Sequence, residues 1–167
     1  QEKTTPYKYS VLFEDYGVFV EFAPGKQTAM YSLTFEEDGD RFIQLRATGK
    51  GEIKGEGNTL SGYDVYVNNH TKHYFYAEFD QTPIAFSENG NGTAINYAQF
   101  DKNVKRVNMR YGVSYISVEQ AKKNLEKEIK DYNLENLALT ARNEWNKALG
   151  KIDVSGGTED QKTTFYT

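Results

Sequence analysis

Apolar and polar residues alternate in short runs through the first two thirds of the chain, and the runs stop at Gly, Pro, Asn or Asp. YKYSVLFE (7–14) alternates and breaks at Asp15-Tyr16-Gly17, after which VFVEF (18–22) runs to Pro24-Gly25. These two predict the arms of a hairpin. TAMYSLTF (28–35) and RFIQLRAT (41–48) flank Asp38-Gly39-Asp40, where glycine accepts a positive φ without a Cβ clash, and predict a second hairpin. EIKGE (52–56), TLSGYDVYV (59–67), KHYFYAEFD (72–80), TAINYAQF (93–100) and VKRVNMRYGVSYI (104–116) follow, with Asn89-Gly90-Asn91-Gly92 the plainest turn among them. Short strands so closely spaced, with no helical period before residue 117, predict a mainly β protein built as an antiparallel β-sandwich.

The period then changes at SVEQAKKNLEKEI. Ser117 is placed to accept the backbone N–H of Gln120 while Gln120 reaches back, the capping box that satisfies orphaned donors at a helix start. Ala121, Leu125 and Ile129 recur at i, i+4, i+8 on a charged rod. A second helix is predicted from Asn133, with Leu134, Leu137, Ala141, Trp145, Ala148 and Leu149 along one face and Gly150 as its stop. Two such stripes cannot cover each other alone, so they must lie on the sandwich or on a neighbour outside these residues. Phe165 and Tyr166, with nothing after Thr167 to receive them, predict a further domain at that point.

Composition narrows the partners. The 167 residues suit one domain with an appendage, and a net charge of -4 with scattered Lys and Arg excludes the electrostatic footprint of a nucleic-acid binder. No apolar run reaches the roughly 18 residues of a membrane span, and the first residues lack the order of a signal peptide. With no cysteine, disulfides, thiolate zinc sites and a cysteine nucleophile are excluded. The 13 Tyr and 10 Phe lie mostly before residue 116, as expected of strands with one dry and one wet face.

Candidate chemistry is sparse. His70 and His73 are three apart, a spacing that does not put both rings on one face of a strand, and no third metal ligand stands out. Asp38 and Asp40 lack the ordered ligand series of a calcium loop, so turn chemistry accounts for them. Asn69-His70-Thr71 and Asn91-Gly92-Thr93 have the glycosylation pattern. Glycoside hydrolysis needs two carboxylates at a set separation; Glu78 with Asp80, or Glu14 with Asp15, are possible members, yet no spacing singles out a pair.

The C-terminal third carries a family likeness. RYGVSYISVEQAKKNLEKEI and NEWNKALGKIDVSGGTEDQKTTFYT resemble the domain junction of glycoside hydrolase family 92, the calcium-dependent α-mannosidases of glycan-degrading bacteria. Gly112 to Ser114, Ser117 to Ala121, Asn124 to Ile129, Trp145 to Leu149, Gly156 to Gln161 and Phe165 to Thr167 match in order and spacing. More loosely, YKYSVLFEDYGVFVEF resembles the family's early hairpin, Ser61-Gly62 its Ser-Gly strand, and HYFYAEFDQTPIAF a later strand pair. YDVYVNNHTK replaces a tryptophan-bearing loop found in many members, and the family's Ser-His-x-His loop has no counterpart here.

The resemblance implies an N-terminal sandwich of the galactose-mutarotase-like supersandwich kind at 1–116, two linker α-helices at 117–150, and at 151–167 the start of an (α/α)6 catalytic barrel. It implies an exo-acting parent that inverts configuration while trimming terminal mannose, with the catalytic residues and calcium in the barrel and neither among these residues. The expected partners are that barrel and mannose-containing glycans, in the periplasm, at the cell surface or outside the cell. Tyr63, Asp64, His70 and His73 are the candidate sugar contacts, because aromatic faces stack on sugar rings and short polar chains bind hydroxyls. A stand-alone carbohydrate-binding or adhesion module is the rival reading, and an intact small hydrolase a third. The helices and the final aromatic pair discriminate, since a binding module has little use for them.

Overall fold

The computed structural model describes residues 2–48, 50–66, 70–88 and 95–166. Eleven strands precede three helices: β1 (Glu2–Thr5), β2 (Lys8–Phe13), β3 (Val18–Pro24), β4 (Thr28–Phe35), β5 (Arg41–Arg46), β6 (Lys50–Glu56), β7 (Thr59–Tyr66), β8 (Thr71–Phe79), β9 (Ala85–Glu88), β10 (Ile95–Phe100) and β11 (Arg106–Ser114), then α1 (Val118–Glu128), α2 (Leu134–Leu149) and α3 (Glu159–Tyr166). The antiparallel sandwich expected from the alternating runs is present. Its large sheet has eight strands in the order β1-β2-β3-β4-β11-β8-β7-β6, and its small sheet has three, β5-β10-β9. β1 and β9 escape the pattern because EKTT has no apolar alternation and AFSE is only one turn of the pleat longer than a bridge.

One predicted pairing is wrong. β2 and β3 do form a hairpin, but β4 pairs with β3 and β11 whereas β5 pairs with β10 in the other sheet. The Asp38-Gly39-Asp40 turn, with Gly39 at φ 150, therefore carries the chain between sheets. Arg41 anchors the crossing: its side chain is buried over the Phe35 ring and donates to the carbonyls of Glu37 and, at 3.4 Å, Val104.

Residues that face each other in register share a face, so burial sorts the large sheet into two. Leu60, Ala77, Phe79, Val107 and Met109 point to the small sheet and pack with Ile43, Ala98 and Phe100; the Phe79 and Phe100 rings meet edge-on at 5.2 Å. On the opposite face Ala23 and Met30 receive Leu125, Ile129, Leu134, Leu137 and Ala138. Both faces of the sheet are thus covered, one by strands and the other by helices.

α1 starts as its sequence implies, Ser117 Oγ accepting the N–H of Gln120 at 3.1 Å, but Gln120 donates to Asn124 rather than back to Ser117. The helix lies very close to the sheet at Gly112, where an added Cβ would sit 2.4 Å from the Ala121 carbonyl oxygen. A backbone atom cannot step aside as a flexible side chain can. Gly112→Ala should therefore cost about 2 kcal/mol through overpacking, read as a lower urea midpoint with an unchanged slope.

The far end of α1 is held by its own carboxylate. Glu128 accepts the N–H of Lys26 at 2.7 Å, that of Gln27 at 3.3 Å and the Thr28 hydroxyl at 2.8 Å, fixing the β3–β4 turn to the helix. α2 begins with Asn133 accepting from the Asn136 N–H, and only its first half is seated. Leu134, Leu137 and Ala138 are buried, whereas Trp145 is 47% exposed and Leu149 41%. Of the two covers expected for the stripes, α1 takes this chain's own sheet, where Ala121, Leu125 and Ile129 are all buried, whereas the outer half of α2 stays exposed.

α3 begins in a reciprocal capping box, the Thr158 hydroxyl accepting from Gln161 N–H at 3.2 Å and Gln161 Oε1 accepting from Thr158 N–H at 2.9 Å. Phe165 and Tyr166 lie in the last described turn of this helix. Tyr166 is tied back, donating to the Ile152 carbonyl at 2.8 Å and accepting from Val154 N–H at 3.2 Å, while Phe165 stays 53% exposed.

Candidate substrate-facing end of the sandwich

Strand directions gather several of the connections at one end. β5, β7, β9 and β11 all finish there, and β6, β8 and β10 start there, as the registers Ile95↔Arg46, Lys50↔Val65, Tyr66↔Thr71 and Ser114↔Tyr74 require. The β3–β4 turn lies at the same end, Val113 N–H donating to the Gln27 carbonyl at 2.9 Å. The Asn89–Gly92 turn and both sequon asparagines lie outside the described residues.

The four candidate sugar contacts divide. Asp64 and His73 are register partners on the face that looks toward the small sheet. The Asp64 carboxylate is held by Thr48, which donates its N–H at 2.9 Å and its hydroxyl at 2.6 Å. Tyr63 points to the opposite face, against Tyr74 at 5.9 Å and under the Lys72 ammonium at 4.0 Å from the ring centre. His70 is exposed in the turn before β8. Alternation along β7 is what separates Tyr63 from Asp64.

Sequence reasoning passed over Tyr115. It sits just past β11, 69% exposed, with its ring 4.6 Å from that of His73 and the planes 73° apart. The available signal was its position immediately after the Gly112–Ser114 motif. Beneath it Tyr111 stacks on Phe75 at 5.7 Å. Burial pushes the Tyr111 hydroxyl up to about 12, and Tyr31 and Asp64 add to the effect.

That shift has a sign. A phenol that stays neutral in the fold while its unfolded counterpart ionises near pH 10 contributes stability that is intact below pH 10 and lost as pH climbs toward 12. Tyr111→Phe should abolish an alkaline loss of about 2 kcal/mol, seen by comparing its urea midpoint with that of the unaltered chain on each side of that window.

Of the acidic residues considered for hydrolysis, Glu78 and Asp80 have structural work. Glu78 accepts from Arg110 at 2.7 Å, and Asp80 accepts the N–H and side-chain amide of Asn108 at 2.8 and 2.7 Å. Among the described residues no three His, Asp or Glu side chains come together as a metal site. No described helix is long and apolar enough to cross a membrane. Near the same end of the sandwich, Pro6, Pro24, Ile129, Leu137, Ala141 and Trp145 line a groove of about 750 Å³.

Residues 1–114 match the Glycosyl hydrolase family 92 N-terminal domain, and residues 120–167 match the Glycosyl hydrolase family 92 catalytic domain. The chain belongs to glycosyl hydrolase family 92. Among solved structures, the family GH92 inverting mannosidase BT2199 of Bacteroides thetaiotaomicron VPI-5482 is 28% identical, with a TM-score of 0.90 over 99% of this chain and 25% of that one. The family GH92 α-mannosidase BT3965 of Bacteroides thetaiotaomicron is 21% identical, with a TM-score of 0.82 over 99% of this chain and 26% of that one. A third, the GH92 family glycosyl hydrolase ccman5, is 17% identical, with a TM-score of 0.81 over 99% of this chain and 27% of that one. No curated protein matches the sequence. This GH92 chain spans about a quarter of the length of these solved relatives.

Proposed function

We propose that these residues are the N-terminal sandwich and helical linker of an exo-acting α-mannosidase that removes terminal mannose with inversion. The observation that carries this is the half-seated α2. Its outer half, with Leu149 exposed and Trp145 exposed over the groove beside Pro6 and Pro24, falls in the stretch that the family counts as catalytic domain. The natural occupant of that groove is the remainder of the same domain, an (α/α)6 barrel, since the solved relatives are about four times longer than this chain. The sandwich then walls one side of the sugar site with the end that carries Asp64, His73 and Tyr115, and His70 lies in the adjoining turn.

The same reading assigns the acid, the base and calcium to the barrel. Among the described residues Glu78 and Asp80 are committed to Arg110 and Asn108, which supports a non-catalytic role for the sandwich. Periplasmic, surface or secreted placement follows from the habits of the family. The full-length protein is expected to release mannose from α-mannosides while the 167-residue chain alone releases none. Turnover by the isolated chain would overturn the division of labour, and inactivity of the full-length protein on every α-mannoside would overturn the assignment.

A further inference from the structure

We propose that the outer face of the small sheet is a binding surface for a neutral polysaccharide, a site that takes no part in bond cleavage and stands independently of the α-mannosidase reading. β5, β10 and β9 lay two rungs of side chains across that face, Phe42, Gln99 and Ala85 in one and Gln44, Tyr97 and Ser87 in the next, as their registers require. Between them Ile43, Ala98 and Phe100 turn inward and are buried. Alternation along the strands thus fixes which side chains look out. α1 and α2 pack on the large sheet instead, against β3, β4, β8 and β11.

Charge selects the class of ligand. Neither rung carries a charged side chain, in a chain of which 26% of residues are charged. β6, the edge of the large sheet, is the contrast: it exposes Lys50, Glu52, Lys54 and Glu56, the kind of charges that keep an open strand from pairing with other molecules. The small sheet has no such guard on these two rungs, and Phe42 is 45% exposed there. A charge-free face offers no ion pair to a polyanion or a polycation, and the net charge of -4 repels a polyanion further.

Size decides between a sugar chain and a protein. β5 and β10 have 6 residues each. Three strands about 4.8 Å apart, with about 3.4 Å of rise per residue, therefore present roughly 300 Å². A stable protein partner, or a second copy of this chain, needs about 800 Å² on each side. The chemistry agrees with the area. Phe42 and Tyr97 are diagonal neighbours on adjacent strands, and each has a glutamine directly opposite it in register. Aromatic rings pack on the C–H faces of pyranoses, and a primary amide both donates to and accepts from hydroxyls. Gln44 Nε2 lies 3.4 Å from the Tyr97 hydroxyl, so ring and amide are already placed together.

The test is affinity electrophoresis of the full-length protein through gels containing α-mannan, galactomannan, xylan or polygalacturonate. At least one of the three neutral polymers should retard the protein, and polygalacturonate should not. Phe42→Ala/Tyr97→Ala should weaken that retardation about tenfold in apparent Kd, while Phe42→Tyr/Tyr97→Phe, which keeps both rings, should leave it within about twofold of the unaltered value. Gln44→Glu/Gln99→Glu keeps the rings and places two carboxylates on the face. It should weaken retardation as well, so the result does not hang on one variant folding.

Retardation by none of the neutral polymers overturns the proposal, and so does retardation that both the alanine and the glutamate variants keep. Sedimentation equilibrium covers the rival occupant. A dimer of the unaltered protein that Phe42→Ala/Tyr97→Ala dissociates would assign the face to a second copy and overturn the proposal; a monomer in both supports it. Binding is read without turnover, so failure of the mannosidase reading and failure of this surface are told apart.

Discussion

Arg110→Ala should destabilise the chain by about 3 kcal/mol, lowering its melting temperature by roughly 6 to 12 °C. Arg110 is the point at which three elements are tied together. One guanidinium nitrogen donates to the carbonyl of Ile129 at the end of α1, at 2.9 Å, and the other to Glu78 of β8, at 2.7 Å. Its plane lies 4.9 Å over the Tyr132 ring in the elbow that leads to α2. The Arg110 and Glu78 side chains are only 12% and 23% exposed, so truncation leaves a poorly hydrated carboxylate and an unmatched carbonyl. Calorimetry of the single and double variants tests this directly. Removing Glu78 as well, in Arg110→Ala/Glu78→Ala, should cost much less than the losses of Arg110→Ala and Glu78→Ala added, because no orphaned charge remains. Additive losses would show that the pair contributes nothing beyond its separate contacts.

Leu125→Ala is expected to cost a similar amount, about 3 kcal/mol, for a different reason. Leu125 is fully buried at the centre of the helix-facing core with Ala23, Met30, Ile129, Leu134 and Leu137. Opposite it is Gly112, whose absent side chain lets α1 approach the sheet and leaves nothing at that position to move into the space left behind. Leu125→Met should recover most of the loss. If Leu125→Ala melted within a degree of the unaltered chain, the helix would not be seated as described.

Much of this architecture was legible because alternation is a local signal. The runs at 28–35, 59–67 and 104–116 read correctly because each is a short run rich in β-forming residues between Gly-, Asn- or Pro-bearing breaks, and Ser117 and Asn133 announced their helices through cap chemistry. Pairing was less legible. The Asp-Gly turn after β4 looks like a hairpin from within, and only the pairing of β5 with β10 shows the chain changing sheets. The candidate site was half visible for a similar reason. Tyr63 and Asp64 are adjacent in sequence and so point to opposite faces, whereas Asp64, His73 and Tyr115 come together only through β-sheet register. The exposed outer half of α2 was visible as a stripe, but its seated first half and the complete cover of α1 depend on contacts with β3, β4 and β11 that no helical period can announce.

The most direct trial of the whole reading is proton NMR of α-linked mannobiose during cleavage by the full-length protein. An inverting α-mannosidase releases the β-anomer of mannose first, with the α-anomer appearing only later by mutarotation. That order is the result predicted. Release of the α-anomer first, or of no mannose at all, would contradict the account.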